Sequence, residues 1–355
     1  MYNPVDLKIE STGFFRKEAV VSKIIIPQGY QSALDLYETQ TAIGDMKRIF
    51  EKKLSTALNL KRVSAPLFVE PKSGLNDDLS GEERPVEFDI KEIGRNVQIV
   101  HSLAKWKRMA LKKYQFPIET GLYTDMNAIR RDDEIDNLHS IYVDQWDWEK
   151  IITPTMRTQD YLKTVVTAIV EAICDTLDVL KKEYPGLRVK LNPDVKFITS
   201  QALEDLYPEY NDKERENAIT KAHGTVFIME IGGKLKSGKP HDMRAPDYDD
   251  WGLNGDILFW HEGLGCAIEI SSMGIRVDAK TLDAQLNMAG CNHRRELTYH
   301  KALLAGEYPL TIGGGIGQSR LSMLLLEKIH VGEVQVSVWD DATTQACDLA
   351  GVKLL

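Results

Sequence analysis

Apolar residues recur at three- and four-residue steps in several segments, and this spacing predicts amphipathic helices. The first such stripe covers residues 36–58, and the longest covers residues 158–183. Pro185 and Gly186 follow the longer stripe and would end its helix. The same spacing predicts shorter helices at residues 103–113, 201–206, 212–222, 280–288, 293–304 and 321–328.

Short runs of β-branched, aromatic or alternating apolar residues predict strands between these helices. Such runs lie at residues 20–27, 63–69, 86–90, 97–100, 225–231, 257–260 and 266–270, and another begins at residue 141. Pro66 lies within one run, so that strand belongs at an edge or an interface. Two runs flank Gly94 and predict a hairpin. Because strands come in adjacent runs with helices between them, we expect an α+β fold with a mainly antiparallel sheet flanked by helices.

The composition limits the class of protein. Of 355 residues, 43% are hydrophobic and 27% are charged, as in an ordinary globular protein. The 44 Lys and Arg residues and 53 Asp and Glu residues give a net charge of −9, which disfavours a surface built to bind nucleic-acid backbones. No signal peptide or membrane span is evident, and the four scattered cysteines form no disulfide or zinc pattern. We therefore expect a cytoplasmic protein.

Residues 233–239 fit the glycine and lysine spacing of a phosphate-binding P-loop. Such a loop also needs a Ser or Thr after the lysine and a helix whose N-terminus faces the phosphate. Pro240 occupies the hydroxyl position, and the residues after it cannot begin that helix. We therefore interpret this segment as a basic hairpin.

A second glycine-rich segment covers residues 311–320. Glycines at 313, 314, 315 and 317 would let a ligand approach the backbone closely. Arg320 lies at the start of the next predicted helix, where it could stack on a base or pair with a phosphate. The residues alone leave two interpretations open, a ligand site or a tight turn from strand to helix with a surface arginine.

Acidic residues are the third candidate feature. Asp247, Asp249 and Asp250 lie close together, Asp256 opens one predicted strand and Glu269 lies within the next. If those two strands pair, Asp256 and Glu269 can converge as oxygen ligands for a magnesium ion bound to a nucleotide. Surface acids are usually just solvated, but a carboxylate in an apolar strand, such as Glu269, needs a partner.

Residues 121–149 resemble one long hairpin with a strand that ends in arginine, an acid-rich loop and a return strand. Gln145 and Asp147 lie two residues apart on the return strand and can therefore point into one pocket. The residue types alone indicate a polar pocket that contains both cations and acids.

These segments together resemble a known family. The hairpin and the second glycine-rich segment are similar to motifs 2 and 3 of class II aminoacyl-tRNA synthetases of the aspartate and asparagine branch, and the first helix with the Pro66 strand resembles motif 1. Four further segments are similar to ammonia-dependent asparagine synthetases, the aspartate–ammonia ligases. They cover residues 101–108, 244–251, 253–256 and 271–276. The resemblance extends over residues 35–355.

The resemblance implies that asparagine is made from aspartate and ammonia at the expense of ATP. The aspartate side chain would attack the α-phosphate of ATP to give β-aspartyl-adenylate and pyrophosphate, and ammonia would then displace AMP. ATP is the implied co-substrate and Mg²⁺ the implied metal, with no nucleic acid and no membrane involved. The resemblance also implies one catalytic domain over residues 35–355, an N-terminal extension over residues 1–34, and a homodimer formed through residues 36–69.

The resemblance also assigns roles to the matching positions. Arginines would offset charge on the α-phosphate, basic groups would hold the α-carboxylate of aspartate, and Asp77 would orient ammonium and take its proton. The implied catalytic residues are Asp77, Arg130, Gln145 and Arg320, and the implied substrate-binding residues are Ser102, Lys107, Asp249, Ser272 and Arg276. The implied nucleotide-binding residues are Asp133, Gly315, Gly317 and Arg320, and the implied magnesium ligands are Asp256 and Glu269.

Three alternatives differ in what they require. A complete aspartyl- or asparaginyl-tRNA synthetase needs a domain that reads the anticodon, and residues 1–34 are too few for one. A glutamine-dependent synthetase needs an N-terminal cysteine, whereas this sequence begins Met1-Tyr2 and its first cysteine is Cys174. A paralogue that binds the adenylate without catalysis would have lost site residues that are present here. We therefore expect an active enzyme.

Overall fold

The computed structural model of the protein describes residues 24–79 and 83–355. Its helices are α1 (Leu36–Leu58), α2 (Ala104–Lys113), α3 (Gln159–Glu183), α4 (Ser200–Leu206), α5 (Asp212–His223), α6 (Ala279–Met288), α7 (Thr298–Leu304), α8 (Gln318–Leu325) and α9 (Asp341–Ala350). Its strands are β1 (Leu60–Arg62), β2 (Phe68–Val69), β3 (Glu87–Ile90), β4 (Arg95–Ile99), β5 (Gly121–Ile129), β6 (Tyr142–Ile151), β7 (Lys196–Thr199), β8 (Thr225–Met229), β9 (Asp249–His261), β10 (Cys266–Arg276) and β11 (Thr311–Gly317).

The strands form one large sheet and one small sheet. The large sheet has eight strands in the order β1-β5-β6-β11-β10-β9-β8-β7, and the small sheet has the order β2-β4-β3. In the large sheet the outermost pairings, β1 with β5 and β7 with β8, are parallel, and the others are antiparallel. The predicted α+β fold with a mainly antiparallel sheet flanked by helices is therefore confirmed.

Helices α1 and α3 cover one face of the large sheet. Met46, Phe50 and Leu54 of α1 share a core with the apolar stripe of α3 and with residues of the central strands. The rings of Phe50 and Trp146 lie 4.8 Å apart between their centroids, which joins α1 to β6. Asp35 begins α1 with a capping box, since its side chain accepts the backbone N–H of Glu38 at 2.8 Å.

Helices α2, α6 and α7 pack in a second core, which also contains residues of β5. Leu103, Trp106 and Leu111 belong to this core, and α2 also contacts β6 and β11, so the polar side of α2 is held next to the middle of the large sheet. None of the helices within residues 24–79 and 83–355 is long and apolar enough to cross a membrane.

The residues before α1 pack against the C-terminal part of the chain. The Tyr30 hydroxyl donates to Glu333 Oε1 at 2.8 Å, and the backbone N–H of Ile25 donates to Asn137 Oδ1 at 2.7 Å. Ile24 and Ile26 pack with a small cluster that includes buried Cys347. The part of the N-terminal extension that the structure describes is thus attached to the same body as the sheet.

Several predicted elements differ from the structure. The predicted strand 63–69 is wrong as one strand, because only Phe68–Val69 pairs and Leu60–Arg62 forms a separate strand before it. Pro66 has no N–H to donate to a sheet, which explains the interruption. The predicted strand 20–27 is absent over residues 24–27, and residues 20–23 lie outside the described ranges.

Other differences concern the lengths and positions of elements. Strands β9 and β10 continue well beyond the apolar runs that predicted them, because both strands also carry polar residues, of which Asp249, Ser272 and Arg276 line a cavity. Strand β7 and helix α9 were not predicted. The predicted helix 293–304 is divided into a 3-10 turn at Asn292–Glu296 and α7. Residues 233–239 form a tight turn closed by a bridge between Lys234 and Pro240, as predicted, and no P-loop helix follows.

Gly255 permits the close contact of β8 and β9. A Cβ atom at this position would overlap the carbonyl oxygen of Ile228 and lie 2.7 Å from the ring of Phe227. We expect Gly255→Ala to lower the free energy of unfolding by about 1–3 kcal/mol, measured by urea denaturation. Gly233→Ala is the control, since a Cβ there meets nothing within 4 Å. Equal effects of the two substitutions would contradict this packing argument.

Candidate active site

A polar cavity of about 640 Å³ opens beside the central strands of the large sheet. Its wall includes residues of β6, β10 and β11, the start of α2, the loop before β6 and the segment before β9. The predicted site residues that line it are Asp77, Ser102, Lys107, Arg130, Asp133, Gln145, Asp249, Glu269, Ser272, Arg276, Gly315, Gly317 and Arg320. Asp256 does not line the cavity and contacts it through the side chain of Arg244.

A buried cluster of charges forms one wall. Arg276 Nη2 donates to Glu149 Oε2 at 2.8 Å, its Nε donates to the same carboxylate at 3.1 Å, and its Nη1 donates to Asp249. Lys107 Nζ donates to the carbonyl oxygen of Gly314 at 2.9 Å and to the carboxylate of Asp147. Residues 145, 147 and 149 alternate along β6, so their side chains emerge on the same face.

The glycines of β11 make room for this cluster. Gly313 lies opposite Glu149 in the register of β6 and β11, and a Cβ atom there would overlap the Glu149 carboxylate. A Cβ atom at Gly315 would overlap the amide oxygen of Gln145 in the same way. In this segment the glycines form a central strand beside the cavity, and α8 follows that strand directly.

The cluster contains both signs of charge. Burial raises the pKa of Asp249, although Arg276 opposes the change. Burial lowers the pKa of Lys107, and Asp147 counteracts this only partly. Burial would also lower the pKa of Arg276, but Glu149 and Asp249 outweigh it and raise that pKa. Asp147 Oδ2 is buried and accepts no hydrogen bond from the described residues, so an acceptor remains for a ligand.

Asp77 lies on a loop at the edge of the cavity and is only 2% exposed. Ser102 Oγ donates to Asp77 Oδ2 at 2.9 Å, and the backbone N–H of Leu79 donates to Asp77 Oδ1 at 3.0 Å. Asn76 fixes the loop, since its side-chain oxygen accepts the backbone N–H groups of Asp77 at 3.0 Å and of His101 at 2.8 Å. The carboxylate of Asp77 is thus oriented before any ligand binds.

Two arginines and one acid line another part of the cavity. Arg130 follows β5, and its Nη2 donates to the carbonyl oxygen of His101 at 3.2 Å. Arg320 lies in the first turn of α8, and its Nη1 donates to the carbonyl oxygen of Glu269 at 3.1 Å. Burial raises the pKa of Asp133, while Arg130 and Arg320 act in the opposite direction. Two guanidinium groups in one cavity favour an anionic ligand such as a phosphate.

Asp256 and Glu269 lie on paired strands, as predicted, but not opposite one another. Asp256 lies opposite Ser272, and the pairing shifts between Glu269 and Ser271. Burial raises the pKa of Asp256 to about 7, and Glu269 adds to the change, while Arg244 opposes it. Asp256 Oδ1 is buried and lacks a partner among the described residues.

This acidic pair fits a magnesium ion that is shared with a phosphate. Within the described ranges no three His, Cys, Asp or Glu residues form a metal cage of their own. Magnesium in nucleotide sites is commonly held by one or two carboxylates together with phosphate oxygens, so a pair is sufficient. The Oδ1 of Asp256, unpartnered among the residues that the structure describes, is free to act as one oxygen ligand.

Some residues of the cavity were not predicted. Arg244 donates to Asp242 at 2.6 Å and to Asp256, and it lines the cavity together with Tyr248. Glu149 does not line the cavity but pairs with Arg276, and it could have been found by continuing the alternation of 145 and 147 along β6. Lys213 reaches the cavity from α5, and no local motif in the sequence marks it.

The fold is of the class II aminoacyl-tRNA synthetase type. The fold is similar to asparaginyl-tRNA synthetase from Entamoeba histolytica in complex with asparaginyl-adenylate, with a TM-score of 0.61 and 14% identity over 84% of this chain and 66% of that chain. It is also similar to asparaginyl-tRNA synthetase from Pyrococcus horikoshii complexed with asparaginyl-adenylate, with a TM-score of 0.60 and 17% identity over 84% of this chain and 68% of that chain.

The sequence comparisons identify a narrower family. The model of the aspartate-ammonia ligase family matches residues 37–351. An aspartate–ammonia ligase from Ruminiclostridium cellulolyticum is 55% identical over 336 residues, which are 94% of this chain and 100% of that protein. Another from Fusobacterium nucleatum is 56% identical over 326 residues, which are 92% of this chain and 99% of that protein. The chain therefore belongs to the aspartate–ammonia ligase family and is an enzyme.

Arg276 is the residue whose loss should disturb the buried cluster most. We expect Arg276→Met to lower the free energy of unfolding at pH 7 by about 3–5 kcal/mol, because Glu149 and Asp249 would stay buried without their cation. Burial raises the pKa of Glu149, but Arg276 outweighs burial and lowers that pKa from its ordinary value of 4.5. The stabilisation that the ionised Glu149 gives to the folded protein is therefore present above pH 4.5 and is lost as the pH falls through the lowered pKa.

The loss in free energy of unfolding caused by Arg276→Met should therefore become smaller as the pH falls below 4.5, as measured by urea unfolding at pH 7 and at about pH 3. Arg295→Met is the control, because it breaks an ion pair with Asp283 at the surface and should cost at most about 1 kcal/mol. If the difference in free energy of unfolding between Arg276→Met and the wild type did not change with pH, the role of Arg276 in stabilising the ionised carboxylates would be contradicted.

Proposed function

We propose that this aspartate–ammonia ligase acts through a β-aspartyl-adenylate and releases AMP and pyrophosphate. The observation that carries the proposal is that one cavity contains a mixed-charge cluster at Arg276, two arginines suited to phosphates, and the buried carboxylate of Asp77. These are the groups that a zwitterionic amino acid, a nucleotide and a protonated nucleophile each require.

Aspartate would bind at the cluster. Arg276 would hold the α-carboxylate, Asp249 would hold the ammonium group, and Lys107 would approach the side-chain carboxylate. Ser102, Gln145 and Ser272 line the same part of the cavity and would complete the hydrogen bonds of the substrate. Because these partners are rigidly held by buried contacts, a longer acid such as glutamate would leave polar groups unpaired, and that would oppose its binding.

The nucleotide would bind where Arg130 and Arg320 meet the cavity. Both guanidinium groups would offset the repulsion between the attacking carboxylate and the α-phosphate, and Gly315 and Gly317 would let the nucleotide approach the backbone. Asp133 lies beside the two arginines and would contact the nucleotide. The product of this step is a mixed anhydride between the side-chain carboxylate of aspartate and the phosphate of AMP, with pyrophosphate as the leaving group.

Asp256 and Glu269 would hold Mg²⁺, which when bound supplies positive charge to the phosphates. Without the ion, Arg244 pairs with Asp256. When Mg²⁺ binds, the guanidinium group of Arg244 would therefore have to move away from Asp256 or bind the same carboxylate together with the ion. No step of the proposed reaction depends on a particular coordination geometry.

The second step would take place at Asp77. Its carboxylate would orient ammonium and accept a proton from it, and the nitrogen lone pair would attack the acyl carbon of the adenylate. The adduct then loses a second proton from nitrogen, and the bond between that carbon and the phosphate oxygen breaks, so that asparagine forms and AMP leaves. Ser102, which donates to Asp77, would keep the carboxylate in place during this transfer.

We also propose that residues 35–355 act as one catalytic domain and that two copies pair through residues 36–69. Strands of one sheet come from Leu60 to Gly317, which supports a single domain. Tyr37 is 83% exposed, and Leu36, Leu67 and Phe68 are also exposed, which supports an apolar contact with another copy.

The products distinguish this reaction from its alternatives. We expect the protein to form asparagine and AMP when it is supplied with aspartate, ATP, Mg²⁺ and ammonium, as measured by chromatography. Without ammonium, the protein should still exchange labelled pyrophosphate into ATP when aspartate is present, because the first step is reversible. Formation of ADP, or a product that appears only with tRNA, would contradict the proposal.

Asp77→Asn should separate the two steps. We expect asparagine formation to fall by about 100-fold or more, because a general base contributes that much, while aspartate-dependent pyrophosphate exchange stays close to that of the wild type. Asp89→Asn is the control, since Asp89 is an exposed carboxylate on the small sheet. Equal loss of both activities in Asp77→Asn would contradict the assigned role.

A further inference from the structure

A second cluster of buried charges lies outside the cavity and takes no part in the proposed chemistry. Asp247 is 0% exposed, and its Oδ2 accepts hydrogen bonds from Lys105 Nζ at 3.1 Å and Arg294 Nη1 at 3.0 Å. His300 Nε2 lies 2.8 Å from the same oxygen. Although burial opposes it, Lys105, His300 and Arg294 hold the pKa of Asp247 below its ordinary value. Asp247 is therefore a fixed anionic centre inside the protein.

Arg294 extends from this centre to the loop of the active site. Its Nη2 lies 2.8 Å from Asp78 Oδ2, while its Nη1 remains on Asp247. The Arg294 side chain is only 8% exposed, whereas that of Asp78 is 58% exposed. One guanidinium group thus connects the buried centre with the residue next to Asp77.

The segment around Arg294 touches the same loop at two further points. Thr298 Oγ1 donates to the carbonyl oxygen of Lys72 at 3.3 Å. Gly74 has a positive φ of 70°, and a Cβ atom there would lie 2.8 Å from Leu297 Cβ and 3.1 Å from His300 Nδ1. The loop therefore contacts the segment 294–300 at residues 72, 74 and 78.

The buried centre also contacts the parts of the chain that carry the substrate groups. Lys105 lies on α2, two residues before Lys107 of the cavity, and Asp247 lies two residues before Asp249. Because Asp247 is connected in this way to Lys107 and Asp249, a displacement of the loop relative to Asp247 also displaces Asp77 relative to the groups proposed to bind aspartate. A general base must lie within hydrogen-bond distance of its proton, and a misplacement of about 1 Å can cost as much as 100-fold in rate.

We propose that Asp78 and Arg294 form a tether that positions Asp77 for the attack of ammonia. This inference rests on the proposed role of Asp77 and adds two positioning residues to it. Neither residue touches the reacting atoms. The tether acts by anchoring the loop of the second step to Asp247, so its loss affects the second step and leaves the first step intact.

Asp78→Asn tests the tether, because it removes the charge of an exposed residue without disturbing the buried centre. We expect ammonium-dependent asparagine formation to fall by about tenfold in kcat/KM for ammonium, since the base is misplaced by a fraction of an ångström. Aspartate-dependent pyrophosphate exchange and the KM for aspartate should match those of the wild type. Asp78→Glu keeps the carboxylate and should restore most of the lost activity.

Asp283→Asn is the matched control. Asp283 is 53% exposed and pairs at 2.6 Å with Arg295, the residue next to Arg294, but that pair does not reach the loop. Both half-reactions should be unchanged in this control. Equal values for Asp78→Asn and Asp283→Asn, or an equal loss of both half-reactions in Asp78→Asn, would overturn the tether while the wild-type reaction stands. A wild-type enzyme without pyrophosphate exchange would instead overturn the proposed function, and the tether with it.

Discussion

Arg276 and Glu149 place opposite charges together where solvent hardly reaches, at 2% and 0% exposure, and the rest of the site is arranged around them. Each charge needs the other, because burial of an isolated ion in such a position would destabilise the folded protein by several kcal/mol. The pair requires space, which the glycines of β11 and Gly274 of β10 provide, since a Cβ at Gly274 would lie 2.8 Å from Asp249 Oδ1. The neighbouring pair of Lys107 and Asp147 requires α2 to lie close to the sheet.

The buried cluster has a consequence for substrate recognition. Its side chains are already oriented by one another, so little entropy remains to be lost when a ligand binds, and most of the ordering takes place during folding. The Asp77 loop is different, because its contacts involve partly exposed groups such as Asp78. The protein thus combines a buried wall for the amino acid with a loop that is held partly by an exposed ion pair.

The sequence predicted the elements whose patterns are local. The stripe of α1, the long helix α3 and the hairpin of β3 and β4 follow from spacing and from Gly94. The prediction of one strand over residues 63–69 was wrong, because the run of apolar residues does not show that the chain leaves the sheet around Pro66. The predicted site residues were chosen from the family resemblance. Arg244 and Lys213 reach the cavity through long-range packing, which no local pattern in the sequence encodes.

The order of strands has a consequence for the synthesis of the chain. Strand β11 pairs with β6 on one side and with β10 on the other, although it follows both in sequence. Until residue 317 has left the ribosome, the half-sheet of β1, β5 and β6 and the half-sheet of β7 to β10 each keep an edge without this partner. Unpaired edges can associate with other chains. Both edges therefore stay open until the strand that completes the sheet is made.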